Sequence, residues 1–387
     1  MSLILDLLLV TGAIHFGVPL SYFAYLRKRV DEPWQLKLDP DYVLQTTVMI
    51  PTFEESALIE GKLENIKAQN FPREKLEVLV IDSGSKDGTL ELLNNWAALN
   101  QDIEMRVVTE PCRMGKSHAL NTGLDEVASE VVVVTEPDSL WTEDSLKTAV
   151  SYFSDAHVGA VTGIKRPFAR DPQEKTVIES AYRTYYNLVR VAESKIDSTA
   201  VFQGEFAAYR TDLLKLIGGF PTNIGADDSY AATTLALHGF RAIAVPDVIV
   251  HELTPVSRLG YLEWKKRRAL HLIQSFRKLA PKVWKARPSL RRIFFTEFYL
   301  HVVNPWLLLV AAITFPISIL IEGFSFYHLG ILAAIAVALL STKGRDALRM
   351  WFAEQIILVY ASLSGLFSSQ LIWPKIEELR SDSLHEK

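Results

Sequence analysis

The residues best placed to do chemistry in this chain are carboxylates that follow apolar, β-branched runs. Val131–Trp141 reads VVVVTEPDSLW, so four valines lead almost directly into Glu136, Pro137 and Asp138. LEVLVIDSGSKDGT ends its apolar run on Asp82, and TTVMIPTFEE passes through Pro51 into Glu54 and Glu55. A solvated turn accounts for one such acid. Acids after three strand-like runs suit a ligand rich in hydroxyl, N–H and phosphate groups. Carboxylates accept hydrogen bonds from a ribose or a base, and a hard cation such as Mg²⁺ or Mn²⁺ bridges a remaining carboxylate to a diphosphate. The chain has no GxxxxGK[ST] or GxGxxG loop, which excludes a P-loop NTPase and a dinucleotide dehydrogenase.

The elements that must hold these acids are legible in the periodicity. Between residues 45 and 255, the strand-length runs TTVMIPTF, LEVLVID, MRVVTE and EVVVVTE alternate with helix-like stretches such as ESALIEGKLENIKAQ and DGTLELLNNWAAL. Alternation of this kind predicts an α/β domain with a mainly parallel sheet flanked by helices. Ligands of such sheets bind beyond the carboxyl ends of the strands, which is where the acids fall.

The flanks are different. Of the 387 residues, 49% are hydrophobic, and the excess sits at the two ends. Leu3–Leu26 is apolar over the length that a bilayer-crossing helix needs, about 20 residues, and RKR follows it at Arg27–Arg29. Charge after the apolar run, rather than before it, predicts a retained anchor over residues 1–30 instead of a cleaved signal. Three further candidate spans, Phe294–Ile321, Phe324–Leu340 and Met350–Trp373, predict a membrane region over 292–374, with a polar tail at 375–387. The basic stretches RKR and STKGRDALR place the middle domain in the cytoplasm by the positive-inside rule. Residues 256–288 read as an amphipathic interfacial helix, with Leu262, Ala269, Leu270, Ile273 and Phe276 toward lipid and Lys and Arg between them. A net charge of −4 gives no reason to expect nucleic acid, and the single Cys112 excludes an intramolecular disulfide.

Over most of Thr46–Gln274 the chain resembles family 2 glycosyltransferases of the GT-A fold, related to the membrane-bound cellulose and hyaluronan synthase-like group. VMIPTFEE is similar to the family's opening strand and acidic turn, which places Pro51 and Glu54 among the substrate-binding residues. VLVIDSGSKDGT is similar to its nucleotide-binding segment, making Asp82 a contact to base or ribose. RMGKSHALNTGL resembles its Gly-Lys-x-x-Ala-Leu-Asn segment and puts Lys116 near the donor. EPD stands where the family has Asp-x-Asp, which implies Asp138 as metal ligand and Glu136 as a ribose or sugar contact. VFQGEFAAYR, with Gly204, resembles the acceptor-side strand. GADDSYAATTLALHGF resembles the stretch that carries the catalytic carboxylate, implying Asp228 as the base and Asp227 as its acidic neighbour. Arg267 stands at the arginine of the synthases' Gln-x-x-Arg-Trp motif, whose other two positions here hold Trp264 and Arg268.

The resemblance implies a membrane-anchored, inverting, metal-dependent hexosyltransferase. Its donor is a nucleotide-diphospho-sugar, UDP- ahead of GDP-, its cofactor Mg²⁺ or Mn²⁺, and its acceptor a lipid-linked sugar or glycan at the bilayer. A base opposite the leaving diphosphate is what inversion at an anomeric carbon requires. Loss of the motif's Trp argues against the alternative of a processive polysaccharide synthase. An inactive sugar-nucleotide-binding scaffold stands further off, because a scaffold needs no base.

Overall fold

The computed structural model describes residues 3–168, 174–255 and 257–365, except for the side chains of 167, 168, 174–181 and 258. The strands are β1 Thr46–Thr52, β2 Leu76–Asp82, β3 Glu104–Thr109, β4 Val131–Val134, β5 Ser139–Trp141, β6 Val158–Phe168, β7 Ala207–Arg210 and β8 Arg241–Leu253. In chain order the helices are α1 Leu3–Arg27, α2 Ile59–Lys67, α3 Thr89–Leu99, α4 Lys116–Glu126, α5 Ser145–Ser151, α6 Glu174–Ile196 and α7 Thr211–Leu216. They continue with α8 Asp227–Leu237, α9 Arg258–Val283, α10 Pro288–Phe298, α11 Asn304–Glu322, α12 Phe326–Leu340 and α13 Thr342–Ser364.

Among the described residues the strands form one sheet, ordered β3-β2-β1-β4-β7-β6-β8-β5. Helices cover both faces, so strand residues are buried whichever way they point, and the runs read as continuously apolar. Val48, Ile50, Val78 and Val80 enter the core beneath α2, α3 and α5. Their neighbours Met49, Leu79 and Ile81 enter the opposite core beneath α4, α7 and α8, as a period of two demands. The parallel register of β1 on β2 and on β4 brings their carboxyl ends together, with Thr52 opposite Asp82.

The expected parallel arrangement holds for β3-β2-β1-β4 and for β6 on β8. The sheet as a whole is mixed, because β7 lies antiparallel between β4 and β6 and β5 is antiparallel on β8. β5 and β7 are three and four residues long, too short to leave a periodic signal in sequence.

Among the described residues, two helical stretches are long and apolar enough to cross a membrane: Leu3–Arg27, and Pro288–Glu322, in which α10 and α11 are joined by a π-helical segment at Tyr299–Val303. They pack on each other, and buried His15 meets the Asn304 carbonyl at 2.9 Å through Nδ1. Of the C-terminal candidates, Phe324–Leu340 falls on α12, and Met350–Trp373 begins within α13 and runs past the described residues. α12 has 15 residues, about 22 Å of helix against a hydrocarbon core of about 30 Å. It joins α13 at a bend of 118°, so the pair counts as one broken span at most. STKGRDALR forms the bend and the opening turns of α13, not a loop. Residues beyond 365, including the tail at 375–387, lie outside the described residues.

The helix expected at the lipid surface also differs. The predicted apolar face of α9 is filled by protein: Leu270, Ile273 and Phe276 are each 1% exposed, in a core with Leu279, Val283, Phe294 and Leu358. Leu262 alone of the predicted large apolar positions stands exposed. An amphipathic pattern reports that a face is buried, and neighbouring helices satisfy it as well as lipid does.

Candidate active site

A cavity of about 470 Å³ lies beyond the carboxyl ends of β1, β2 and β4 and reaches α6, α8, α9 and α13. Its strand-end half is acidic. Lys116 opens α4 just after Gly115, whose φ of +106° an L side chain rarely adopts. The Lys116 ammonium donates to Glu136 Oε1 at 2.5 Å and stands 3.7 Å from Asp227 Oδ2. Gly204 is where these groups converge. A Cβ there would lie 2.7 Å from Lys116 Nζ and 3.4 Å from both Asp228 Oδ2 and Glu136 Oε1. Only a residue without a side chain lets the three meet.

Asp227 and Asp228 form the first turn of α8, where the helix dipole favours negative charge. Asp228 Oδ1 accepts its neighbour Ser229's N–H at 2.7 Å. Burial, then the adjacent Asp227 charge, raise the Asp228 pKa to about 7 against the pull of Lys116. Burial likewise raises Asp227, with Lys116 opposing. Burial works against the Lys116 ammonium, yet Asp227, Glu136 and Asp228 together hold its pKa above the ordinary lysine value. A carboxyl poised near neutrality in a cleft, with a cation beside it, is what a general base at pH 7 requires.

Asp138 lines the same half of the cavity. Behind it the fully buried Lys62 donates to the Ser139 carbonyl at 2.9 Å and sits 3.9 Å over the Trp141 ring. Burial drives the Lys62 pKa well down, and Asp138 and Glu136 resist that drop. Among the described residues no three His, Cys, Asp or Glu side chains gather into a metal cage. The donor set therefore fits a cation that takes one or two carboxylates from the protein and the rest of its shell from water and substrate phosphate, as Mg²⁺ and Mn²⁺ accept.

The helix-walled half is basic and aromatic. Glu252, at the end of β8, accepts from Lys165 at 3.2 Å, from Arg183 at 3.0 Å and from Arg268. Glu205 pairs with Lys165 and lies 3.4 Å from Arg268. Trp264, 3% exposed, lies under Arg268 at 4.7 Å and Arg183 at 5.7 Å. Lys265 bonds Glu354 of α13 at 2.8 Å and covers the Tyr182 ring.

Of the residues expected from sequence, Pro51, Lys116, Glu136, Asp138, Gly204, Asp227, Asp228 and Arg267 all line this cavity. Asp82 and Glu54 are not on the wall. Asp82 is 1% exposed and spends its oxygens on Thr52 Oγ1 at 3.1 Å and on the Ser85 N–H and hydroxyl. Glu54 takes the left-handed φ of +53°, and its N–H donates to Ser85 Oγ at 2.6 Å. Both tie the β1 and β2 loops together, while their neighbours Ser83 and Glu55 reach the wall. Sequence reasoning passed over Glu205, Glu252, Gln203 and Arg190. The available signal was a lone acid closing the apolar strand AVPDVIVHEL and another beside Gly204; nothing local marks the other two.

Comparison with known proteins agrees with this geometry. Residues 44–271 match the model of the glycosyltransferase like family 2, more than half of the chain. The chain belongs to that family. This family 2 chain is 40% identical to the mannosyltransferase PcManGT from Pyrobaculum calidifontis, solved with GDP-Man and Mn²⁺; the match covers 94% of this chain and 99% of that one at a TM-score of 0.82. It is 29% identical over 225 residues to the O-antigen chain rhamnosyltransferase RfbN of Salmonella typhimurium, covering 55% of this chain and 68% of the relative. A poly-β-1,6-N-acetyl-D-glucosamine synthase of Staphylococcus aureus is 24% identical over 259 residues, 67% of this chain and 60% of the synthase. The chain is a nucleotide-sugar glycosyltransferase with a GT-A-like fold.

Proposed function

We propose that this glycosyltransferase is anchored in a membrane and moves a hexose, with inversion, from a nucleotide-diphospho-sugar to an acceptor held at the bilayer. The observation that carries the reading is the convergence of Asp228, Lys116 and Glu136 on Gly204, in a cavity whose far wall includes His301 and Leu358 from the apolar helical region. Asp228 takes the proton from the acceptor hydroxyl as that oxygen attacks the anomeric carbon from the face opposite the diphosphate. Lys116 holds Glu136 in place beneath the sugar and keeps the acidic cluster from over-protonating. Asp138, with Glu136 beside it, holds the divalent cation, which when bound stabilises the charge that builds on the departing diphosphate.

The solved neighbour binds GDP-Man with Mn²⁺. GDP-mannose is therefore the first donor to test, and the expectation of UDP over GDP has no support there. The basic segment at the end of α1, Arg27–Arg29, favours a cytoplasmic catalytic domain. The test is nucleotide release by the detergent-purified full chain across GDP- and UDP-sugars, with Mn²⁺ or Mg²⁺, with and without membrane lipid extract. Metal-dependent release that extract stimulates and Asp228→Asn removes is expected. Release only onto soluble acceptors overturns the bilayer acceptor, and donor binding without release overturns the transferase.

A further inference from the structure

The helix-walled half of the cavity contains a buried guanidinium whose hydrogen-bonding capacity is only partly used among the described residues. Arg190, on α6, is 7% exposed, and its Nε and Nη1 have no hydrogen-bond partner among the described residues. Its aromatic neighbour is Tyr186, 5.9 Å from the guanidinium. Arg183 and Arg268, both engaged with Glu252, lie close enough to repel it, while Tyr182 and Glu297 favour its charge. A guanidinium taken out of water without a partner costs several kcal/mol, and a buried charge is retained when something pairs with it. The amide of Gln203 lines the same cavity, is 2% exposed, and neither its Nε2 nor its Oε1 has a hydrogen-bond partner among the described residues. Gln203 precedes Gly204, the meeting point of Lys116 and Asp228. A partly unsatisfied guanidinium and an unsatisfied amide lining one cavity, the second next to the reacting centre, suit a phosphate anion.

We infer that Arg190 and Gln203 bind a phosphate group of the acceptor, separate from the donor diphosphate held at Asp138. The inference rests on the transferase reading above and names its acceptor class: a lipid-borne phosphate or diphosphate whose sugar hydroxyl reaches Asp228. The apolar helices supply the reason for a lipid. His301 and Leu358, which share the cavity with Arg190, belong to the stretches read as membrane-associated, so a phosphate at Arg190 leaves its hydrocarbon on that side.

Two measurements on the full chain in detergent test it. The first needs no catalysis: thermal shift of the donor-free, metal-free protein with dodecyl phosphate, inorganic phosphate or an uncharged dodecyl glycoside. Dodecyl phosphate is expected to stabilise wild type and Asp138→Asn but not Arg190→Met, with Gln203→Leu in between. Without ligand, Arg190→Met should melt at or above the wild-type temperature, because it removes an unpaired buried charge; a marked fall would mean that Arg190 is a structural pair, and would overturn the site. Equal stabilisation by inorganic phosphate would assign the subsite to free phosphate and overturn the lipid acceptor.

The second measurement is transfer to a lipid-diphospho-sugar and to an alkyl glycoside lacking phosphate. Arg190→Met should raise KM for the phosphate-bearing acceptor about 10- to 100-fold, the worth of a charged hydrogen bond or two, with partial rescue by Arg190→Lys. The donor KM should stay within about two-fold. A raised donor KM would place Arg190 on the donor diphosphate, and equal loss on both acceptors would remove the phosphate from the account. If wild type releases no nucleotide from any donor, the transferase reading fails while the binding result stands by itself.

Discussion

The two halves of the cavity handle buried charge in opposite ways. At the strand ends three carboxylates, Glu136, Asp227 and Asp228, share Lys116, and burial together with the Asp227 charge pushes Asp228 to about 7. At the helix wall Glu205 and Glu252 are shared by Lys165, Arg183 and Arg268, so each carboxylate has its cationic partners. An excess of like charge tunes a group for reaction, whereas a matched network holds elements together. The matched network joins β6, β8, α6 and α9, while the acidic half meets only where chain turns leave the sheet.

The largest effect expected from breaking the contrast is at Asp228. Asp228→Asn removes the base and should lower kcat by about 10²- to 10⁴-fold, read by nucleotide release, without lowering the melting temperature. The matched half should respond in stability instead. Glu252→Gln takes the shared carboxylate from buried Arg183 and Lys165 and half-buried Arg268 and should cost about 3–5 kcal/mol, measured by thermal or denaturant unfolding in detergent. An unchanged unfolding midpoint would mean that the network is not structural.

Gly204→Ala sharpens the comparison from the backbone side. Its new Cβ must displace the end of Lys116, a flexible group, so folding should survive. The misplaced Lys116–Glu136 pair should cost about 10²-fold in kcat/KM; full activity would show that the convergence on Gly204 is unimportant.

The smallest effect is on pH. As a base, Asp228 must be ionised, so kcat/KM should rise with pH through about 7 and flatten above it, and the Asp228→Asn residue of activity should lose that limb. The stability sign is opposite. The folded-state pKa lies above the unfolded value of about 3.9, so the native state holds the extra proton between the two. Stability is therefore lost as pH rises from about 4 toward 7, and Asp228→Asn should flatten that slope. The same pH dependence in wild type and Asp228→Asn over this range would contradict the assignment.

Much of the site could be read from residue types and order. Glu136 and Asp138 follow a valine run, Lys116 follows a glycine, and Asp227-Asp228 precede a helix, so each carries a local mark. Asp82 carries the same mark, yet its carboxylate turns back to Thr52 and Ser85; a strand-end acid can serve the loop as readily as the ligand. Arg190 lies within a helix and carries no mark at all. The pattern of α9 was correctly amphipathic and wrongly assigned to lipid, since periodicity says which face is buried and not what buries it.

By itself, the sequence determined the alternation of strand and helix, the side of the sheet on which ligands sit, the apolar helices at both ends and most of the acidic half of the site. Those depend on local periodicity and on chemistry a few residues long. Tertiary structure alone decided that α12 and α13 bend into one unit, that protein covers α9, and that Glu205 and Glu252 share their cations. It also decided that Gly204 is where Lys116 and Asp228 meet. Those facts depend on groups tens to hundreds of residues apart, and their energies exist only once the sheet has brought them within a few ångströms.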